Sequence, residues 1–440
     1  MNAIILMICK LAMALLKLTG RGSSFPGELA LKLNKNILKY FKLPDRIIAV
    51  TGSSGKGSCS SVIARCFRDQ GYKVAHNSSG SNLTAGITAL LISRSKLSGK
   101  IKDDVLVMEV DERYAKFIFK DVKPDTVVIT NLTKDQPPRQ GHVDLVYHEI
   151  NKALKEDMTL ILNGDDPYTR KFTLKRSFKK VYYFGIDRTK DSYTEPRYEN
   201  LIMYFCPKCG KRLDYSYRHI EIYGDYKCPG CDYRRPEIDY LVKNADYDEK
   251  SIEINGHAIK LPYGMLFGVY NTAAIYACCS VCGLDEEKTS QTLSSEKADK
   301  HIYSEYSQGG RNVYVLNNKN ENSATFNQSV WFYNRGRGEK SVIIGWREIS
   351  RRYGFDDLSW LYDISFELLD DGHLDYVVAS GTHAEAVKRR MELAGIPESK
   401  IVCEPELSNA VDFLKTKTKS DIYAILNFDY VEPFNSLMGE

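Results

Sequence analysis

The chain has 440 residues, 43% of them hydrophobic and 27% charged, with a formal net charge of +4. This length supports two or three domains with cores of ordinary size, and this balance excludes a disordered chain. No block of about five or more like charges occurs, so composition offers no nucleic-acid surface and leaves small anions or another protein as partners.

Residues 1–45 read as a helical leader. Met1 to Gly20 is apolar, but Lys10 and Lys17 interrupt it before the roughly 18 to 20 uncharged residues that a spanning helix needs. No small-residue cleavage site follows. An amphipathic helix docked on the protein's own surface is expected, with peripheral contact to a membrane as the alternative. The most informative stretch comes next. Ile47-Ile48-Ala49-Val50 is a β-branched run that stops at Thr51-Gly52-Ser53-Ser54-Gly55-Lys56-Gly57-Ser58, and a helical pattern continues to about Gln70. This is the layout of a phosphate-binding loop: backbone N–H groups and the positive helix end surround a polyphosphate, Lys56 neutralises its terminal charge, and a hydroxyl ligates magnesium. An ordinary strand-to-helix connection is the plainer alternative.

From Arg46 to about Tyr183, strand-like runs (47–51, 73–76, 105–110, 126–130, 160–162 and 181–184) alternate with helical patterns (58–70, 84–93, 112–119 and 145–155). Such alternation predicts an α/β fold with a mainly parallel sheet and ligands at the carboxyl ends of its strands. Beyond a tyrosine-rich segment, 251–260 reads as a strand and 271–282 as a helix of small, mostly apolar residues. A second α/β unit starts near Lys300, with strands at 312–316, 341–344, 376–379 and 422–425 and helices at 384–394 and 409–416.

Eleven cysteines in a chain of this size are not the disulfide framework of a small secreted domain. Four pair by spacing, Cys206 with Cys209 and Cys228 with Cys231, and eighteen residues lie between the pairs. Two residues between cysteines let both thiolates turn toward one ion at about 2.3 Å, and two such knuckles complete a closed tetrahedron. A structural zinc ribbon is expected, inserted at about 197–240. Zinc ribbons also bind nucleic acid, and Arg212, Arg218, Arg234 and Arg235 among the tyrosines suit that alternative. The other seven cysteines read as buried thiols, in keeping with a reducing cytoplasm.

The loop Gly52–Ser58, His76-Asn77 with Gly80 and Asn82, Glu109-Val110-Asp111-Glu112, Asn131-Leu132 with Asp135-Gln136 and Arg139, Asn163-Gly164-Asp165-Asp166-Pro167, the four cysteines, Tyr270-Asn271 and Asp357-Leu358-Ser359-Trp360 together resemble the Mur ligase family. Within it they are most similar to the MurT-type synthetase subunits of lipid II isoglutaminyl synthase. The resemblance implies a central ATP-binding domain at 46–298 carrying the zinc ribbon and a C-terminal domain at 299–440. It implies an ATP-dependent carbon–nitrogen ligase, located in the cytoplasm or at the inner face of the cell membrane. ATP would phosphorylate the D-glutamate carboxylate of the lipid II stem peptide, and ammonia from a GatD-like glutaminase partner would convert the acyl phosphate to an amide.

By position, the resemblance gives Lys56 the terminal phosphates and Ser58 and Glu109 a magnesium ion. It gives Asn271 the adenine, and Asp357 the part of a third triad member reaching into the glutaminase. Asp135, Gln136 and Arg139 match a motif near the family's active site. The plainer alternatives are a solvated strand end for Glu109, a helix N-cap for Asn271 and a polar loop for Asp357. Some segments depart from the family pattern: Lys56-Gly57-Ser58 is closer to folylpolyglutamate synthases, and His301, 319–323 and 349–357 differ from the usual motifs. A folylpolyglutamate-type amino-acid ligase and a non-catalytic scaffold therefore stand as rival readings.

Overall fold

The β-branched runs pack as strands because parallel strands covered on both faces need apolar side chains on both. In the computed structural model, residues 1–19, 24–77, 81–134, 141–196, 204–297, 302–319, 321–349 and 356–439 are described. Strands β1 (Arg46–Thr51), β2 (Val74–His76), β3 (Val105–Glu109), β4 (Thr126–Ile129), β5 (Thr159–Asn163) and β6 (Lys180–Ile186) are all parallel to their neighbours. They join β9 (Tyr240–Asp246), β10 (Ser251–Ile254) and β11 (His257–Lys260) in a nine-stranded sheet of order β11-β10-β9-β6-β5-β4-β1-β3-β2; β7 (Asp214–Ile220) and β8 (Tyr223–Lys227) form a separate hairpin. Within this sheet β10 pairs antiparallel with β9 and β11, while β9 runs parallel to β6. The sheet is thus a mostly parallel α/β core, as the alternation predicts.

A second, six-stranded sheet has the order β12-β13-β17-β14-β15-β16, formed by β12 (Tyr303–Gln308), β13 (Arg311–Asn318), β14 (Lys340–Trp346), β15 (Leu374–Gly381), β16 (Ile401–Cys403) and β17 (Asp421–Asn427). Polar contacts tie the two parts together. Lys134 Nζ meets Asp363 Oδ2 at 2.7 Å, Arg335 Nε meets Asp191 Oδ1 at 3.1 Å, and the Phe267 amide donates to Gln328 Oε1 at 2.6 Å.

Three elements differ from the sequence expectation. The stretch 251–260 is a hairpin rather than one strand, because Asn255 and Gly256 take φ +51° and +81°, the left-handed pair of a tight two-residue turn. The helix expected from Asn271 begins at Leu266 and runs to Val281, with Met265 at its cap, so Asn271 is not an N-cap but lies inside the helix. The helix expected over 112–119 shortens to Ala115–Ile118, because the Asp111 carboxylate accepts from the Arg113 amide and forms a turn first.

The N-terminal helix Asn2–Thr19 forms as expected. Its inner face places Ile5, Leu6 and Cys9 in the main core, where a fully buried leucine contributes about 1.5–3 kcal/mol. Among the described residues, no helix is long and apolar enough to cross a membrane.

Candidate functional site

At the carboxyl end of β1 the chain must turn without a side chain in the way. Gly52 adopts φ +126° and Gly55 φ +84°, and a β-carbon on Gly55 would lie 2.3 Å from Asn271 Oδ1. The loop is pinned to the chain leaving β4: the Ser53 amide donates to the Asn131 carbonyl at 3.0 Å, the Ser54 amide to Asn131 Oδ1 at 3.0 Å, and Thr130 Oγ1 to the Ser54 carbonyl at 2.6 Å. Helix Lys56–Asp69 starts directly behind Gly55, and no side chain caps it. Its first-turn N–H groups, which have no intrahelical acceptor, therefore open toward an anion.

Lys56 is almost buried, and its ammonium donates to the Gly52 carbonyl and to Glu112 Oε1, each at 2.5 Å. Burial pushes the Glu112 carboxyl above its ordinary range, and the Lys56 charge opposes that shift. Glu112 stands in the acidic motif, but nothing in the motif marks it as the lysine's partner. Glu109, at the end of β3, is oriented by two asparagines. Asn77 bonds its backbone on both sides at 2.9 Å, and Asn82 Nδ2 donates to Glu109 Oε1 at 2.9 Å. The other carboxylate oxygen, Oε2, faces the small residue Gly57, 3.3 Å from where a β-carbon would stand. His76 is held neutral, its pKa lowered to about 4 by burial and by Arg68, with Nε2 3.1 Å from Ser60 Oγ.

Residues Ser53–Ser58 of the loop and Glu109 line two adjoining cavities of about 300 and 410 Å³. Gly57, Ser58, Glu109 and Asn271 border both. The larger one continues over Val62, Leu261, Pro262 and Ile275, an apolar wall suited to a flat ring. The second sheet supplies the other wall of the smaller cavity: Asn317 and Asn318 from β13, and Lys319, whose Nζ donates to the Ser53 carbonyl at 3.1 Å. The fold therefore brings Gly52–Ser58, Glu109 and Asn271 together and adds Lys319, which the sequence singles out only as a departure from a motif. Ser58 and Glu109 offer hard oxygen ligands at one cavity wall, a donor set that fits magnesium.

Asp357 lies elsewhere. It is half-buried, accepts from the Ser359 amide at 2.8 Å, and does not border either cavity. Trp360 just after it is fully buried against Phe326 and Trp346, with ring centroids 5.0 and 5.2 Å apart. The preceding residue is fixed too: Trp346 Nε1 donates to His383 Nδ1, and His383 Nε2 meets Asp356 Oδ2, both at 3.0 Å. Gly80, Asp135, Gln136, Arg139, His301, Asn320 and 350–355 fall outside the described residues.

The four cysteines Cys206, Cys209, Cys228 and Cys231 converge, with all sulfur atoms within 4.8 Å of one another. Sγ of Cys206 stands 3.7 Å from that of Cys231, and Sγ of Cys209 3.4 Å from that of Cys228. Thiolates on one zinc at about 2.3 Å stand roughly 3.8 Å apart, so this set fits that ion. The Lys208 and Gly230 amides donate to Cys206 and Cys228 sulfur at 3.4 Å, as two knuckles would. The hairpin is anchored through the fully buried Asp165, which accepts from Arg235 Nε at 2.7 Å, Tyr270 Oη at 2.9 Å and the Ile186 amide at 2.8 Å. Arg235 is thereby committed to the interior. Arg218 is buried as well, 3.6 Å above the Tyr215 ring, so neither arginine offers a nucleic-acid contact.

Residues 50–202 match the Mur ligase middle domain and residues 320–430 the MurT ligase C-terminal domain. The chain is 28% identical to the MurT subunit of lipid II isoglutaminyl synthase (glutamine-hydrolyzing) from Staphylococcus aureus strain COL, over 89% of this chain and 87% of that one. It is also 28% identical to the same subunit from Streptococcus pneumoniae R6, over 96% and 93%. A pseudomurein peptide ligase type C from Methanothermus fervidus superposes with a TM-score of 0.68 at 19% identity, covering 92% of this chain and 80% of that one. The chain thus matches a Mur ligase middle domain and a MurT ligase C-terminal domain in that order, on an α/β fold shared with a peptide ligase, and its named relatives are carbon–nitrogen ligases.

Proposed function

We propose that the chain is the ATP-dependent synthetase subunit of a two-component amidating enzyme acting on lipid II or a related peptidoglycan precursor. The observation that carries this reading is the convergence of Lys56, Ser58, Glu109 and Asn271 on one pair of cavities, in a chain aligned with MurT subunits over nine-tenths of its length. The organisation that goes with it is a leader at 1–45, an ATP-binding domain at 46–298 with a zinc ribbon at about 197–240, and a C-terminal domain at 299–440. The site of action is cytoplasmic.

The loop amides, Lys56 and Lys319 hold the triphosphate, and Asn271 with the apolar wall holds the adenine. A magnesium ion held by Ser58 and Glu109 would supply charge neutralisation at the transferring phosphate. A D-glutamate carboxylate oxygen attacks the γ-phosphorus, the bond to ADP breaks, and an acyl phosphate forms. Ammonia then attacks the acyl carbon, phosphate leaves, and a proton lost from nitrogen completes the amide. Lys56, withdrawn onto Glu112 in the structure, has an anionic partner that phosphate can replace. Ammonia comes from a GatD-like glutaminase. In this reading Asp357, which accepts from the Ser359 amide and lies away from the nucleotide cavities, orients a histidine of that partner.

The test uses the complex with its glutaminase. Lys56→Ala abolishes ATP turnover while the fold persists; unchanged turnover refutes the assignment. Asp357→Asn lowers amidation driven by glutamine far more than amidation driven by free ammonia, and equal loss with both nitrogen sources removes the triad role. Glutamate-dependent ATP hydrolysis without a partner would favour an amino-acid ligase instead.

A further inference from the structure

The N-terminal helix has a second face that the fold does not use. Met1, Ile4, Met7, Ile8, Leu11 and Leu15 are 88, 57, 47, 43, 60 and 66% exposed. At about 100° per residue they occupy one stripe roughly 120° wide, the geometry of a face that is ordinarily buried. Lys10, the first of the two lysines that interrupt the apolar run in sequence, does not interrupt this stripe. Lys10 turns inward, its Nζ donating to the Ile92 carbonyl at 2.5 Å and the Ser95 carbonyl at 2.8 Å.

The surroundings of the stripe are basic. Residues 1–45 hold seven lysines and arginines against only Glu28 and Asp45, so this tenth of the chain carries more positive charge than the chain's net +4 and the remainder is close to neutral. Asn34 Nδ2 donates to Asn2 Oδ1 at 2.9 Å, which sets the exposed Lys32 and Lys35 by the helix start. The Lys10–Ser95 contact brings the segment with exposed Lys96, Lys100 and Lys102 toward its middle. An apolar stripe on a segment of this positive charge is complementary to an anionic lipid surface, where apolar burial and headgroup attraction add. Two copies of the same face would instead bring like charges together.

We propose that this face docks the protein on an anionic bilayer, with helix Asn2–Thr19 lying flat in the interface and the flanking lysines on the lipid phosphates. The helix is too short of uncharged residues to span, which leaves the interfacial orientation. The proposal stands on the N-terminal surface alone and is independent of the reaction assigned to the nucleotide site.

The test is co-sedimentation of the full-length chain with phosphatidylcholine vesicles prepared with and without phosphatidylglycerol. Binding is expected to the anionic vesicles and to weaken with salt. The double variant Ile4→Ser/Leu11→Ser, at exposed positions, should lower that binding by about tenfold or more without lowering thermal stability or nucleotide binding. Lys32→Glu/Lys35→Glu should also weaken it. Absence of binding to anionic vesicles, or binding indifferent to Ile4→Ser/Leu11→Ser, overturns the proposal. A dimer that the same double variant dissolves, or loss of the glutaminase from that variant, gives the face to a protein instead and equally overturns it.

Discussion

Replacing Gly52 with alanine tests whether the phosphate loop is held by close backbone approach. A β-carbon there would stand 2.4 Å from Thr130 Oγ1, 2.9 Å from the Asn131 carbonyl oxygen and 3.0 Å from the Thr130 amide nitrogen. The last two are backbone atoms, so rotating a side chain cannot relieve the contact. Alanine at φ +126° adds about 1–3 kcal/mol of backbone strain, and overfilling adds about 1–3 kcal/mol more, or else the loop moves off and weakens its bonds to Asn131 and Thr130. Gly71→Ala is the control: its φ is +92° but no atom lies within 4 Å, so it carries the backbone part, about 1–2 kcal/mol. Gly52→Ala should therefore destabilise the first sheet by about 1–3 kcal/mol more than Gly71→Ala. Trp346 and Trp360 lie in the core of the second sheet while Trp331 packs against Tyr247 of the first part, so fluorescence would mix the two parts. Amide hydrogen exchange of β1 and β4 is the suitable measurement. Equal loss of protection in the two variants would refute the close-approach argument.

Two further outcomes are expected. Asp166 is buried, and its pKa is pushed up to about 7 despite donation from the Leu132 and Tyr168 amides. An unfolded aspartate titrates near about 3.9, so the folded state holds the extra proton between these values; Asp166 favours folding at low pH and its contribution is lost as pH rises through about 7. Asp166→Asn should flatten denaturation midpoints across that window, and an unchanged slope speaks against a protonated Asp166. Chelation or Cys228→Ser should release one zinc per chain and raise hydrogen exchange in β7 and β8 while β1 and β4 keep their protection, because the hairpin's own core is little more than Leu213, Tyr215, Tyr226, Tyr233 and the cysteines. Metal-free protein with unaltered exchange in the hairpin would remove the structural role of the ion.

Local chemistry was readable in the sequence wherever it is contiguous. Runs such as Thr126–Ile129, buried at every position, can only be strands covered on both faces, and their limits fall within a residue or two of those expected. The glycine-rich turn, Lys56 and Ser58 are likewise contiguous, and each cysteine pair declares its knuckle by spacing alone. The Asn255-Gly256 turn was missed, because the alternation on either side of it reads through as one strand.

What tertiary structure alone decided are the pairings between residues far apart in the chain. Lys56 meets Glu112, Asn77 and Asn82 aim Glu109, Lys319 crosses from the second sheet to Ser53, and Lys10 turns inward to leave one apolar stripe unbroken. Secondary-structure periodicity reflects interactions a few residues long, whereas these contacts depend on where the sheets place their strand ends, and that is set by the packing of the whole core.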